Sequence, residues 1–222
     1  MKGHDLRGAY NADRASALSG VPKSTIHYWA RTEVLVPSIS PERIKLWSYP
    51  DLMGLRTIYW LRQGKTADDG VAVSATSMRA VRRALDELKQ LDLELWTEVR
   101  GPAVAVSRAG EVFLTLDDRV SNLTGQSPLD AEWLNLIEPF NTGEGRGPDL
   151  YAPRPSLRIV PGKLSGSPHI LKTRIETVAL AALEERGLPQ AKIARLYPMA
   201  SEAAIADALD LEHQLQRNLR AA

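Results

Sequence analysis

The stretch DRASALSGVPKSTIHYW, Asp13 to Trp29, decides how this chain is read. It spells a short helix, a turn at Gly20 and a second short helix. Ala15, Leu18, Val21, Ile26 and Trp29 fall where two such helices must meet face to face. Glycine supplies the positive φ that a tight interhelical turn needs. Pro22 suits a helix start, where a missing N–H costs nothing. The spacing predicts helices over Tyr10–Ser19 and Pro22–Ala30. The second would turn Lys23, Ser24, Thr25, His27, Tyr28 and Arg31 outward. Cations, hydroxyls and an aromatic on one face are the side chains that meet phosphates and base edges. The first expectation is a helix-turn-helix that enters a DNA groove.

Outward from that pair, VLVPSISPERIKLW predicts a small β-hairpin. Leu35 and Val36 stop at Pro37, a turn runs through Ser38–Arg43, and Ile44–Trp47 resumes as a strand. Arg43 and Lys45 at its tip are candidates for holding phosphates. A third helix starts at Ser48 or Tyr49, with Pro50 early and Asp51 in its first turn. Leu52, Leu55, Ile58, Tyr59 and Leu61–Arg62 line it, and Gly64 ends it. Tyr10, Gly20-Val21, Ser24-Thr25-Ile26, Tyr28-Trp29, Leu35-Val36-Pro37, Trp47-Ser48-Tyr49 and Arg62-Gln63-Gly64 together resemble a MerR-type winged helix-turn-helix over roughly residues 9–65. His27 stands where that family usually has an arginine, and the chain has no cysteine for a thiol metal sensor.

The net charge of +1 conceals an asymmetry. Residues 1–65 carry ten Lys/Arg against five Asp/Glu, residues 66–150 eight against fifteen, and residues 151–222 ten against seven. Basic ends around an acidic middle suit polyanion contacts at the ends. The absence of cysteine excludes disulfides and thiolate metal sites. The four histidines are widely spaced, and no metal or other cofactor is expected. No apolar run reaches the roughly 18 residues of a membrane span, and the first residues are no signal peptide, so a cytoplasmic protein is expected.

In the middle, Thr76 or Ser77 caps an amphipathic helix, SMRAVRRALDELKQL. Met78, Val81, Ala84-Leu85, Leu88 and Leu91 share one face, and Arg79, Arg82 and Arg83 sit on a solvated one. Leu93–Val99, Ala103–Ser107 and Val112–Leu116 alternate as strands, separated by turn signals, and predict an antiparallel meander with open edges. A short helix is expected over Asp130–Ile137. Asn141–Pro155, rich in Gly, Pro and charge, reads as a linker. Its GEGRG is no nucleotide loop, lacking a following Lys-Ser/Thr.

The last third predicts a strand over Leu157–Val160, then helices over Thr177–Arg186 (closed by Gly187), Gln190–Leu196 and Ser201 onward. Ile159-Val160-Pro161, Gly166-Ser167-Pro168-His169-Ile170, Thr173-Arg174-Ile175 and Tyr197-Pro198 resemble a small antitoxin-associated family once known only as a domain of unknown function. That family's pattern is Gly-x-Pro-x-Ile-x-Gly-Thr-Arg-Ile-Pro, helix, Tyr-Pro. Lys172 stands here for its second Gly, and Glu176 for its last Pro. Arg174 either serves that family's function or anchors its loop.

The expected fold class is therefore α+β, mainly helical. It comprises a winged helix-turn-helix over 1–66, an amphipathic helix plus antiparallel meander for dimerisation over 67–150, and a three-helix unit over 151–222. The two ends together resemble a VapB-type antitoxin. That resemblance implies a homodimer on operator DNA, represses its own operon, and pairs with a PIN-domain ribonuclease toxin. Lys23, Ser24, Thr25, His27, Tyr28, Arg31, Arg43 and Lys45 would touch DNA. Arg146, Arg154, Arg158 and Arg217, with Arg220, are the arginines on offer to the toxin. The alternative is a MerR-type transcriptional regulator responding to a small-molecule ligand, with Trp96, Phe113, Trp133 and Phe140 to line a pocket. No catalytic set stands out, and no enzyme is expected. Asp68-Asp69 and Asp117-Asp118 fall in turns, and His169 reads as a loop hydrogen-bonder.

Overall fold

The computed structural model describes residues 8–66, 72–73, 75–90, 103–107, 112–116, 119–122, 131–142 and 145–220. The fold is α+β. Its helices are α1 (Ala12–Ser19), α2 (Lys23–Arg31), α3 (Tyr49–Arg62), α4 (Met78–Gln90), α5 (Thr177–Glu185), α6 (Gln190–Leu196) and α7 (Glu202–Arg220). The strands are β1 (Lys65–Thr66), β2 (Ala72–Val73), β3 (Ala103–Ser107), β4 (Val112–Leu116), β5 (Arg119–Asn122), β6 (Ala131–Asn135), β7 (Phe140–Thr142), β8 (Gly145–Gly147), β9 (Leu157–Arg158) and β10 (His169–Ile170).

Local chemistry sets the helix ends. The Asn11 side chain accepts from the Arg14 N–H to start α1, and Gly20 closes it at φ 76°. Ser48 and Asp51 form a capping box on α3, each side chain accepting from the other's backbone N–H, with Pro50 in the first turn. Gly187, at φ 84°, follows α5. The Ser201 hydroxyl accepts from the Ala204 N–H at the start of α7.

α3 is the centre of the molecule. The sequence shows an apolar face, yet every residue from Asp51 to Leu61 is buried. α1 packs on one side of it and α4 on another. Wrapped all round, α3 has no solvent face to leave polar.

β3–β6 form one antiparallel sheet in the order β5-β4-β3-β6. The register pairs Ala105 with Phe113 on one side and with Trp133 on the other. The helix expected over Asp130–Ile137 is therefore replaced by β6, because AEWLN pairs along the whole of β3 and a free strand edge satisfies its backbone. The expected strand Leu93–Val99 lies outside the described residues, as do Asp68-Asp69 and Asp117-Asp118.

Asn141–Pro155, expected as a linker, is built into the fold. β7 and β8 pair as a hairpin, and the Arg146 N–H donates to the Gly20 carbonyl. Gly147 is buried so closely that a Cβ there would lie 2.5 Å from Arg56 Nη2 and 2.9 Å from the Ser19 oxygen. In the last third, β9 pairs with β10, and α7 packs against α5, α6 and also α1. Buried apolar residues form one contiguous cluster, from Leu18 and Ile26 through Leu55 and Val104 to Ile205 and Leu215.

Candidate nucleic-acid interface

The helix-turn-helix pair meets through Leu18, Val21, Ile26 and Trp29, all buried. Ser16 secures the turn by donating its hydroxyl to the Val21 carbonyl at 2.7 Å. With one face of α2 spent on the core, Lys23, Ser24, His27, Tyr28 and Arg31 are exposed and Thr25 is half-exposed. Tyr28 is 53 % exposed. The Arg31 guanidinium lies 5.8 Å from its ring centroid, within cation–π range. No side chain caps the start of α2 and no acid lies in its first turn. Its positive dipole end is thus open to an anion. Lys23 pairs with Asp13 across the turn, and both are near half-exposed. Such surface pairs are worth at most about 1 kcal/mol, so a phosphate competes for the ammonium.

The expected hairpin is present in reduced form. Ser40 and Leu46 make one antiparallel bridge and Trp47 makes another with Tyr10. Leu35 is in the core rather than in a strand. The Trp47 ring is fully buried, and the His27 ring meets it edge-on at 6.2 Å between centroids. That contact ties the base of the hairpin to the outer face of α2. At the tip, the Lys45 ammonium turns back and donates to the Pro41 and Glu42 carbonyls at 2.9 and 3.2 Å. Arg43 is exposed. Ile44 between them is 71 % exposed, and Ile39 is 40 % exposed. Ile44, expected to open a strand, instead forms an apolar tip. The prolines at 37 and 41, which shorten the pairing, were the available signal.

The arginines considered for a protein partner divide. The Arg154 guanidinium is committed to α7, donating to Asp210 and Gln214 at 2.7 Å each. Arg158 donates to the Pro155 and Leu157 carbonyls and lies over the Tyr151 ring. Arg146 is exposed while its backbone is held by Gly20 and Asn218. Arg217 and Arg220 are exposed on α7. Arg174 is exposed and makes no hydrogen bond or ion pair with the described residues. Thr173 beside it closes the loop, its hydroxyl donating to the Ile170 carbonyl at 2.9 Å and accepting from the Ile175 N–H. His169 is buried, and its Nδ1 donates to the Ser167 carbonyl at 3.0 Å. A carbonyl only accepts, so the proton sits on Nδ1. Burial pushes its pKa down.

Two polar groups that sequence reading passed over join the helix-turn-helix to the rest. Arg56 is fully buried in α3. It donates to the Leu18 and Ser19 carbonyls at the end of α1, and to those of Leu136, Ile137, Glu138 and Pro148. Burial lowers its pKa to about 9, so it stays charged at neutral pH. The carbonyl dipoles, two of them at a helix C-terminus, stabilise that charge. Arg14 of α1 meets Glu212 of α7 in a two-pronged ion pair. Around it, the Tyr10 hydroxyl donates to the Gly166 carbonyl, and the Thr177 hydroxyl donates to Glu212.

Among the described residues no cluster of three His, Asp or Glu is placed to hold a metal ion. No helix among them is long and apolar enough to cross a membrane.

Residues 158–210 match a family described as "Protein of unknown function (DUF433)". The match takes in β9, β10, α5, α6 and the first half of α7. No curated protein matches the chain. The crystal structure of Rv2018 from Mycobacterium tuberculosis is similar at 13% identity, with 93% of this chain and 97% of that one covered and a TM-score of 0.46.

Proposed function

We propose that this chain is a DNA-binding antitoxin and autorepressor. As a homodimer it would place α2 of each copy in successive major grooves of an inverted-repeat operator, about 34 Å apart. The chain beyond the head, with Arg146, Arg217 and Arg220 exposed, would hold a PIN-domain ribonuclease. The observation that carries the DNA half is the outer face of α2. Five exposed groups able to meet phosphates and bases lie beside an uncapped helix start, with the Arg43-bearing hairpin tied to that helix through His27 and Trp47. The antitoxin half rests on the resemblance of both ends to VapB-type antitoxins.

The test is a footprint and binding titration of the full chain on the DNA upstream of its own gene, against an unrelated duplex of equal length. The expected result is a protected inverted repeat, with affinity falling steeply as salt rises. Equal, weak binding to both duplexes would overturn the DNA half. Co-expression with the neighbouring nuclease reading frame tests the other half, the expected result being a co-purifying complex and restored growth.

A further inference from the structure

We infer that Ile44 is an apolar wedge that enters the DNA minor groove beside the α2 contact and unstacks a base step. The inference rests on the DNA-binding reading above and extends it to how the operator is deformed.

Ile44 is the most exposed large aliphatic side chain of the N-terminal third of the described residues, at 71 %, with Ile39 exposed nearby on the same hairpin. A flexible loop would fold such a side chain back. This tip is instead tied on both flanks. The Ser40 hydroxyl donates to the Ile44 carbonyl at 2.7 Å, and the Lys45 ammonium bonds the Pro41 and Glu42 carbonyls. The Ser40–Leu46 bridge closes the base. The loop is thus braced from within while its isoleucine points to solvent.

The surroundings choose the occupant. Arg43 adjoins the isoleucine, and Lys23 and Arg31 stand on the helix to which His27–Trp47 ties the hairpin. Of the cations among residues 1–65, Arg56 is buried, Arg14 pairs with Glu212 and Lys45 bonds local carbonyls, whereas Arg43, Arg31 and the Asp13-paired Lys23 are exposed. A braced aliphatic tip flanked by the exposed Arg43, with Arg31 and Lys23 on the adjoining helix, complements a polyanion with a stackable interior. Apolar side chains that enter the minor groove unstack base steps and kink the duplex, and cations alongside hold the flanking phosphates.

The experiment uses the full chain on the DNA upstream of its gene, read by permanganate, which oxidises unstacked thymines. The wild type is expected to give hyper-reactive thymines inside its footprint. Ile44→Ala and Ile44→Ser should lose them and bind about tenfold more weakly, with the salt dependence unchanged because no phosphate contact is removed. The exposed position should spare folding, and unchanged circular dichroism spectra of both variants are the check. A footprint without hyper-reactive thymines, or one unchanged in Ile44→Ala, overturns the wedge and leaves DNA binding standing. A variant that changes free-protein sedimentation from dimer to monomer makes the tip a contact between copies and also overturns it. No footprint on any duplex removes the DNA-binding reading itself.

Discussion

Arg14 and Glu212, 198 positions apart, close two hydrogen bonds of 2.7 Å each between the first helix and the last. The carboxylate side is 6% exposed and the guanidinium side 21%. The residue pair therefore lashes the helix-turn-helix to the C-terminal helices in a place where water competes poorly. Thr177 adds a third bond to the same carboxylate from α5.

Removing one partner strands the other. Arg14→Ala should cost about 3 kcal/mol in urea unfolding, since Glu212 would stay buried with only a hydroxyl. The double variant Arg14→Met/Glu212→Leu should recover most of that, because it leaves no charge behind. A single-variant cost below about 1 kcal/mol would mean that the pair is solvated in solution.

Arg56 is expected to be intolerant of substitution. A lysine has three donors in place of five, and six carbonyls converge on this guanidinium. Arg56→Lys should lose about 2 kcal/mol or more, and Arg56→Ala should not fold at 37 °C. Thermal melts of both read this directly. Gly147→Ala should be destabilising in the same way, its Cβ meeting Arg56 Nη2 at 2.5 Å.

Lys172 offers the opposite case. It is exposed and sits at φ 63°, where the resembling family carries glycine. A left-handed conformation costs an ordinary residue about 1 kcal/mol. Lys172→Gly should gain about 0.5 kcal/mol after the added freedom of the unfolded chain is counted. Glu176, at φ −74°, already has the backbone of the family's proline. It faces His169 across a bridge whose bonds run through Ile170 and Thr177 instead. Glu176→Pro should likewise gain about 0.5 kcal/mol. A loss in both variants, measured by chemical denaturation, would contradict the backbone geometry of this loop.

His169 predicts an acid sensitivity. Its folded pKa lies below the ordinary value of about 6.5 because the ring is buried. The unfolded chain therefore takes up the proton first as pH falls. The contribution to stability is complete above about 6.5 and is lost on acidification below it, toward the folded pKa. His169→Asn keeps a donor for the Ser167 carbonyl without a titrating ring. Its stability, compared with wild type by urea midpoints from pH 7.5 to 5, should fall less. Parallel curves would assign the acid sensitivity elsewhere.

On the outer face of α2, substitutions should separate by kind. Lys23→Ala or Arg31→Ala should weaken binding to every duplex and lower the salt slope by about one each. His27→Ala and Tyr28→Ala should weaken the upstream DNA more than the unrelated duplex, with the slope unchanged. Fluorescence anisotropy at several salt concentrations tells the two apart, and one common pattern for all four variants would refute the division of roles.

The elements that could be read along the chain are those whose causes lie within a turn or two. Gly20, the Ser48–Asp51 box, Gly187 and Ser201 each act on the backbone a few residues away. Their helices accordingly end within a residue or two of expectation. AEWLN suits either a helix or a strand, and its long-range partner β3 decides for β6. The hairpin tip carries Arg43 and Lys45 in sequence, but Lys45 turns its charge onto local carbonyls and an isoleucine is left outward.

The polar core lies furthest from what local order can disclose. Within YPDLMGLRTIYWLR, Arg56 looks like the solvent side of an amphipathic helix. It is buried because carbonyls from α1 and from residues 136–148 converge on it from 37 to 92 positions away. Glu212 falls within the apolar series of the last helix, beside Leu209, Leu211 and Leu215, and its charge has a place there only because Arg14 and Thr177 reach it. Short-range stereochemistry thus places the helices from sequence alone. Which charges go inside depends on partners that only folding brings within 3 Å, since a buried charge is stable only where its donors or acceptors converge.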